Sequence, residues 1–374
     1  MFPITYHSLL CGMIQWGSLL IFEVNELKNK IIALILSMTL IFNITACNNN
    51  KLTRYEAEFL NVFDTVTQVK GYAKNKEEFS EFTQLIHDSL KEYHELYDIY
   101  NNYEGINNLK TINDNAGKKP IKVDKRIIDL LKASKEAYDL TDGKINVAYG
   151  AVLSIWHDYR EEGINDPEKA KLPPLEELQS MAKHTDIHKM IIDEENSSVY
   201  LEDPQMSLDV GAIAKGYATE QVAQIVMEHG YKDGMISVGG NVRTFGGKGK
   251  DKGPWNVGVQ NPDMESENKN LHILELKDKS LVTSGDYQRY YIVDGKPYHH
   301  IIDPDTLMPS DYFRAVTIVC EDSGLADVLS TAIFNMPFEK GLEFIEDIPE
   351  VEALWIFKDG LIQYSSHFKD YIAQ

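Results

Sequence analysis

Three stretches of this chain carry side chains that could do chemistry together. The first is Ser207-Leu208-Asp209-Val210-Gly211-Ala212-Ile213-Ala214-Lys215-Gly216-Tyr217, which reads as a strand running into Asp209 and a small-residue turn opening a helix. A helix start offers unpaired backbone N–H groups and a positive dipole end, which suits an anion such as phosphate. Lys215 adds a cation in the first turn, and Gly211, Ala212 and Ala214 let a ligand approach the backbone. Close packing at a strand–helix junction accounts for the small residues at least as well. The second stretch is Leu325-Ala326-Asp327-Val328-Leu329-Ser330-Thr331-Ala332. Asp327 and Thr331 are four apart, so on a helix they share a face. A carboxylate and a hydroxyl there suit a hard cation such as Mg²⁺, which keeps one or two protein carboxylates plus substrate phosphate oxygens. Taken alone, a surface acid beside a core-facing hydroxyl is the simpler account of that pair. The third stretch is Tyr298-His299-His300-Ile301-Ile302-Asp303-Pro304-Asp305-Thr306. His300 is a candidate general base, since imidazole titrates near pH 6.5. His299 alternates with it on a strand, so only one of them should face a site. No third His or Cys sits at ligand spacing, which argues against zinc.

These residues need elements to carry them. Helical spacing of Phe79, Phe82, Ile86, Leu90, Tyr93 and Tyr97 predicts a helix over 76–97. Asp124 reads as the N-cap of a helix that stops at Asp142-Gly143. A helix over 212–228 ends at Gly230, and others are expected over 325–335 and near 338–345. Strands are expected at 63–71, 235–238, 255–259, 272–276, 290–293 with 298–301, and 315–320. Hairpins are expected at 190–193 with 199–202, and at 353–357 with 361–364. The Asn-rich stretch 100–119 reads as a loop with short turns, and 164–174 as a polar connection. Two small, polar strand ends, Ser237-Val238-Gly239-Gly240-Asn241 and Thr283-Ser284-Gly285-Asp286-Tyr287, specify no ligand alone. Gly246–Gly253 lacks the Walker pattern and reads as a solvated hairpin tip. There is no regular strand–helix alternation and no internal repeat. The fold class is therefore α+β, with mainly antiparallel sheets flanked by helices.

Composition narrows the function. The chain has 374 residues, a formal net charge of −21 and 43% hydrophobic residues, enough for a large core. An acidic balance argues against nucleic acid, which needs a basic stripe. The three Cys cannot frame a disulfide scaffold, and Cys320 reads as a strand residue rather than a nucleophile. Lys28 and Lys30 precede an apolar run from Ile31 to Ile44, closed by Thr45-Ala46-Cys47. This reads as a secretory signal over 1–46, with a small-residue pair before Cys47 that resembles a bacterial lipobox. On that reading Cys47 carries a lipid, 47–54 is a polar tether, and one functional domain fills 55–374. The earlier apolar run, 9–22, fits no ordinary signal; translation starting near Leu27 would remove it.

Together and in this order the motifs resemble the ApbE family, the FAD:protein FMN transferases. The residues carrying the resemblance are Asp209–Tyr217, Val238–Asn241, Thr283–Tyr287, His300–Pro304 with Thr306, and Ala326–Ala332; Phe63-Asp64-Thr65 and Asn107–Asn113 fit the family's N-terminal part. The resemblance implies a T-fold-like, two-lobed single unit. It implies an Mg²⁺-dependent enzyme that moves the FMN half of FAD onto a Ser/Thr hydroxyl of an acceptor flavoprotein, releasing AMP. It puts the metal on the Ala212 carbonyl, Asp327 and Thr331. It puts FAD contacts on Phe63, Tyr103, Asp209, Lys215, Ile302 and the Lys144-Ile145-Asn146 turn. Asp327 and His300 are the expected catalytic residues. The implied partner is an acceptor domain with a Ser/Thr flavinylation motif, belonging to a membrane electron-transfer system, and the expected location is a lipid anchor on the outer face of the bacterial membrane. An FAD pyrophosphatase, or a flavin-binding lipoprotein without turnover, are the alternatives. Three positions depart from the family: Asn146 replaces the usual Asp, Leu307-Met308 replace a turn glycine, and Tyr97 and Tyr100 are near enough to take the place of Tyr103.

Overall fold

A computed structural model describes residues 52–249 and 251–374. The apolar N-terminal runs, Cys47 and the tether as far as Lys51 lie outside the described residues. The chain opens with β1 (Thr53–Val62), β2 (Thr65–Ala73), α1 (Lys76–Tyr97), α2 (Leu109–Asp114), β3 (Ile121–Lys122), α3 (Lys125–Leu140), α4 (Gly150–Asn165) and α5 (Leu175–Met181). The middle holds β4 (Met190–Asp193), β5 (Ser198–Leu201), α6 (Ala214–Glu228), β6 (Gly234–Val238), β7 (Asn241–Phe245), β8 (Trp255–Gln260), β9 (Asn270–Leu276) and β10 (Ser280–Gly285). It closes with β11 (Tyr290–Val293), β12 (Lys296–His299), β13 (Ile302–Asp303), β14 (Met308–Pro309), β15 (Phe313–Cys320), α7 (Ser323–Phe334), α8 (Phe338–Glu346), β16 (Glu352–Phe357) and β17 (Ile362–Tyr364).

An eight-stranded sheet, in the order β1-β2-β6-β7-β10-β15-β16-β17, is the frame. Every pairing in it is antiparallel, and it stays open, with β1 and β17 at its edges. This is the expected α+β class. β15 sits inside the sheet and is buried on both faces, so it reads as a continuous apolar run. Its Val316, Ile318 and Cys320 join the core shared with α1, α6 and α7, while Ala315 and Val319 join a second core beneath β8 and β9. Cys320 is thus a buried strand residue, as its sequence context suggests. A third core packs Val152 and Trp156 of α4 against Tyr291, Val293, Ile302 and Leu307.

Local chemistry explains most of these elements. Asn75 caps α1 by accepting from the Glu78 N–H at 2.9 Å, and Glu78 accepts from the Lys74 N–H at 2.6 Å. Three elements depart from the sequence reading. Thr53 and Arg54, placed in the tether, open β1, which alternates exposed and buried residues against β2. The 100–119 stretch contains α2, nucleated by a reciprocal capping box between Asn108 and Thr111. α4 was not expected at all. It lacks a side-chain N-cap and carries Gly at both ends, so its local signal is weak. Burial of Val152 and Trp156 forms it instead. Gly150 is required there because a Cβ would lie 2.4 Å from the Ser207 carbonyl oxygen.

Candidate active site

A cavity of about 380 Å³ opens where the β1–β2 turn, the N-terminal ends of α4 and α6, the end of β10 and one face of α7 meet. Asp209, Ala212, Lys215, Asp327, Thr331, His300, Phe63, Lys144, Ile145, Asn146 and Ile302 all line it. The fold therefore collects residues from position 63 to position 331 of the chain. Tyr103 is the exception: it is not in the lining, and its hydroxyl is held by Asp98 at 2.8 Å. Tyr97 and Tyr100 line the cavity instead. Tyr97 follows from helical spacing, because it continues the buried stripe of α1.

The wall made by α6 and α7 is a contact between two backbones. Gly216 is required, since a Cβ there would lie 2.3 Å from the Ser323 carbonyl oxygen and 2.5 Å from Asp327 Cβ. The Gly216 N–H donates to Asp327 Oδ2 at 2.9 Å, and Lys215 Nζ lies 4.0 Å from the same oxygen. Asp327 is only 4% exposed, yet among the described residues nothing donates to its Oδ1. Thr331 follows one turn later, its hydroxyl 3.1 Å from Ser284 Oγ. Beneath, Glu220 accepts from Arg243 Nε at 2.8 Å and from the Ser323 N–H at 3.0 Å, locking the start of α7 to α6. Asp209 accepts from the Gly211 N–H at 2.8 Å. Burial pushes its carboxyl up, against that hydrogen bond and the charges of His157, Arg160 and Lys215.

Whether this wall could hold a metal is answered by its donors. Asp327, with one carboxylate oxygen left over, and the Thr331 hydroxyl line the cavity together with Ala212, so the donors on offer are oxygens. That fits a hard cation that completes its shell with substrate oxygens and water. Among the described residues no three His, Cys, Asp or Glu side chains cluster as a metal site, so an ion at this wall would take further oxygens from substrate or water.

The opposite wall is already occupied by protein contacts. Lys144 Nζ lies 2.8 Å from Asp303 Oδ1 and 2.7 Å from Asp305 Oδ2, with its side chain 9% exposed. Burial works against its charge, but the two aspartates outweigh this and raise its pKa. Asn146 donates from Nδ2 to the Thr185 carbonyl at 2.8 Å and accepts from the Ala148 N–H at 2.9 Å. The first bond needs an amide; an aspartate would face a carbonyl oxygen. Leu307 takes φ +62 in the turn where a glycine was missed. Its side chain is 9% exposed in the third core, and its carbonyl accepts from Trp156 Nε1 at 3.0 Å. Packing and that hydrogen bond offset the strain of a left-handed leucine. Phe63 and Asp64 form a two-residue turn with φ +52 and +49, although neither is glycine. The Phe63 N–H donates to His94 Nδ1 at 3.2 Å.

Alternation separates the two histidines as expected. His299 is buried, donates from Nε2 to the Ser310 carbonyl at 2.7 Å and accepts from the Ile301 N–H at 3.2 Å. His300 faces the cavity. Its Nδ1 lies 3.3 Å from the Arg289 carbonyl, so the neutral ring donates there and leaves Nε2 as its acceptor. Burial first, then Arg289, His299, Arg160 and Lys215, lower its pKa to about 3. It is a neutral ring and a weaker base than its type suggests.

Several lining residues escaped the sequence reading: His157 and Arg160 on α4, Arg289 before β11, and Asn335. Asn335 had a signal, being four residues beyond Thr331. Among the described residues nothing bonds to the buried Tyr149 hydroxyl, Asn241 Nδ2 or Asn335 Oδ1, and all three residues line the cavity. Such polar atoms are costly unless a ligand or water meets them.

Known proteins resemble this chain in sequence and in fold. Residues 63–355 match the ApbE family. A FAD:protein FMN transferase of Klebsiella pneumoniae (strain 342) is 31% identical over 256 residues, spanning 68% of this chain and 76% of that one. One from Treponema pallidum (strain Nichols) is 31% identical over 273 residues, spanning 70% and 74%. The crystal structure of the ApbE protein from Thermotoga maritima superposes with a TM-score of 0.75 at 29% identity, covering 86% of this chain and all of that one. The flavin transferase ApbE from Vibrio cholerae shares the fold, with a TM-score of 0.71 at 24% identity over 86% of this chain and 99% of that one.

Proposed function

The chain belongs to the ApbE family, and from that premise we propose that it transfers the FMN half of FAD to a Ser/Thr hydroxyl of an acceptor flavoprotein, using Mg²⁺ and releasing AMP. The observation that carries this reading is the half-used Asp327 carboxylate. A buried acid with one oxygen fixed by the Gly216 N–H and the other open to the cavity is a cation ligand in waiting. Ala212, Asp327 and Thr331 would hold the ion. When bound, it neutralises charge on the diphosphate oxygens as a Lewis acid.

The chain's own groups do the rest. Lys215 and the start of α6 present positive charge to the diphosphate. Phe63, Ile145 and Ile302 supply apolar surface for the flavin. The acceptor oxygen bonds to the FMN phosphorus as the bond to the AMP oxygen breaks, and the hydroxyl proton leaves. His300 Nε2 faces the cavity as the acceptor of that proton. As a ring with a pKa near 3 it helps by orienting the hydroxyl more than by holding the proton. Asn146 and Leu307 are each held by local hydrogen bonds, which favours the transferase reading over a protein without turnover.

The test is intact-mass analysis of a candidate acceptor incubated with the protein, FAD and Mg²⁺. An acceptor heavier by one FMN, lost in Asp327→Ala and in excess chelator, is expected. Labelling that persists in Asp327→Ala overturns the metal role. FMN and AMP formed equally fast without acceptor would favour the pyrophosphatase. We place the enzyme on the outer face of the membrane through a lipid on Cys47, serving an acceptor in a membrane electron-transfer system. Release of the Cys47→Ser protein from the membrane fraction checks this.

A further inference from the structure

In a chain of net charge −21, one wall of the cavity concentrates cations. Arg160 comes from the third turn of α4 and Arg289 from the residue before β11, 129 positions later; both line the cavity. Arg160 is half-buried, and burial disfavours its charge; Arg289 adds to that, while Glu161 and Asp209, neither in direct contact, offset part of it. Among the described residues no carboxylate lies within 4.0 Å of either guanidinium. Arg160 donates instead to His157 Nδ1 at 2.9 Å. Arg289 is held in place through its backbone, where its carbonyl accepts from the His300 N–H at 3.1 Å. A half-buried cation that faces a second cation and has no carboxylate in direct contact is under-compensated, and an outside anion would complete the set.

We infer that Arg160 and Arg289 form a metal-independent clamp on the diphosphate of the FAD substrate, across the cavity from the Asp327–Thr331 wall. The inference rests on the flavin-transferase reading. Paired guanidiniums suit it because their planar forks meet phosphate oxygens two bonds at a time, which an ammonium cannot do. The clamp divides the work: one wall takes phosphate through a cation, the other through fixed donors. It also keeps the departing phosphate of AMP paired while the FMN–oxygen bond forms.

The test is equilibrium binding of FAD, riboflavin and adenosine to the full chain, in chelator and in Mg²⁺. Arg160→Gln and Arg289→Gln should each weaken FAD tenfold or more in both conditions, leaving riboflavin and adenosine within twofold. Arg160→Lys should recover only part of the loss. FAD affinity within twofold of the parent in both Gln variants overturns the clamp. So does a parallel loss for riboflavin or adenosine, which marks a ring contact or a damaged pocket. Unchanged FAD affinity with a raised acceptor KM overturns it too, assigning the pair to an acidic group on the acceptor. Failure of the parent protein to bind FAD overturns the clamp together with the reading beneath it. Arg289 is exposed, so Arg289→Gln keeps the test decisive if Arg160→Gln does not fold.

Discussion

Two walls of one cavity treat charge in opposite ways. On the α6–α7 wall the acid is only half satisfied: Asp327 spends Oδ2 on the Gly216 N–H and keeps Oδ1 open. On the turn wall the polar groups are spent. Lys144 is bound between Asp303 and Asp305, and both ends of the Asn146 amide are bonded to backbone. Lining a cavity is therefore not the same as being free to act in it. Partner accounting separates residues that meet substrate from residues that hold the wall still.

Four substitutions or titrations sharpen that contrast. The largest effect belongs to Gly216→Ala. The new methyl must displace either the Ser323 carbonyl or Asp327, because both lie closer than any real Cβ contact. We expect a loss of about 3 kcal/mol in urea unfolding and no detectable FMN transfer. A stable, active variant would mean that the α6–α7 contact is not rigid. Next comes Asp303→Asn on the turn wall. It leaves Lys144 with only the exposed Asp305, and the expected cost is about 3 kcal/mol with FAD affinity per folded molecule little changed. Loss of FAD affinity at full stability would return Lys144 to the substrate.

Asn146→Asp restores the residue usual in the family. It should cost about 1–2 kcal/mol, since the donor to the Thr185 carbonyl disappears and a charge takes its place. Tighter FAD binding in that variant would show that position 146 reaches the flavin. The smallest effect concerns pH. His300 has a folded pKa near 3, below its ordinary value near 6.5. The ring stays neutral from pH 8 to 5, so transfer should show no acid limb at pH 6.5 that His300→Gln abolishes. Stability has the matching sign. Below pH 6.5 the unfolded chain binds a proton at this ring that the native state does not, so the native state loses stability as pH falls through 6.5 towards 3. A His300-dependent limb near 6.5 would place the ring in water.

Much of the site was legible because it is written in short-range spacing. Asp327 and Thr331 share a face through helix geometry, and the alternation of His299 and His300 follows from extended backbone. The Asp209–Tyr217 junction is one contiguous stretch, so its strand, turn and helix are visible together. α4 was illegible because it is formed by burial of Val152 and Trp156 against a hairpin far along the chain, with no cap to announce it. His157 and Arg160 went unseen with it. In sequence Tyr103 is one of three nearby tyrosines, and only the fold shows that Asp98 takes its hydroxyl while Tyr97 and Tyr100 line the cavity.

The sequence by itself determined the fold class, the family and the oxygen-bearing face of α7, since each rests on residues within a few positions of one another. Tertiary structure alone decided that Lys144 answers to Asp303 across 159 positions, that Leu307 can bear a left-handed turn, and that Arg160 and Arg289 line one cavity. Those outcomes depend on which surfaces meet when the chain packs. No local periodicity encodes the partner that a side chain finds on an element folded from elsewhere.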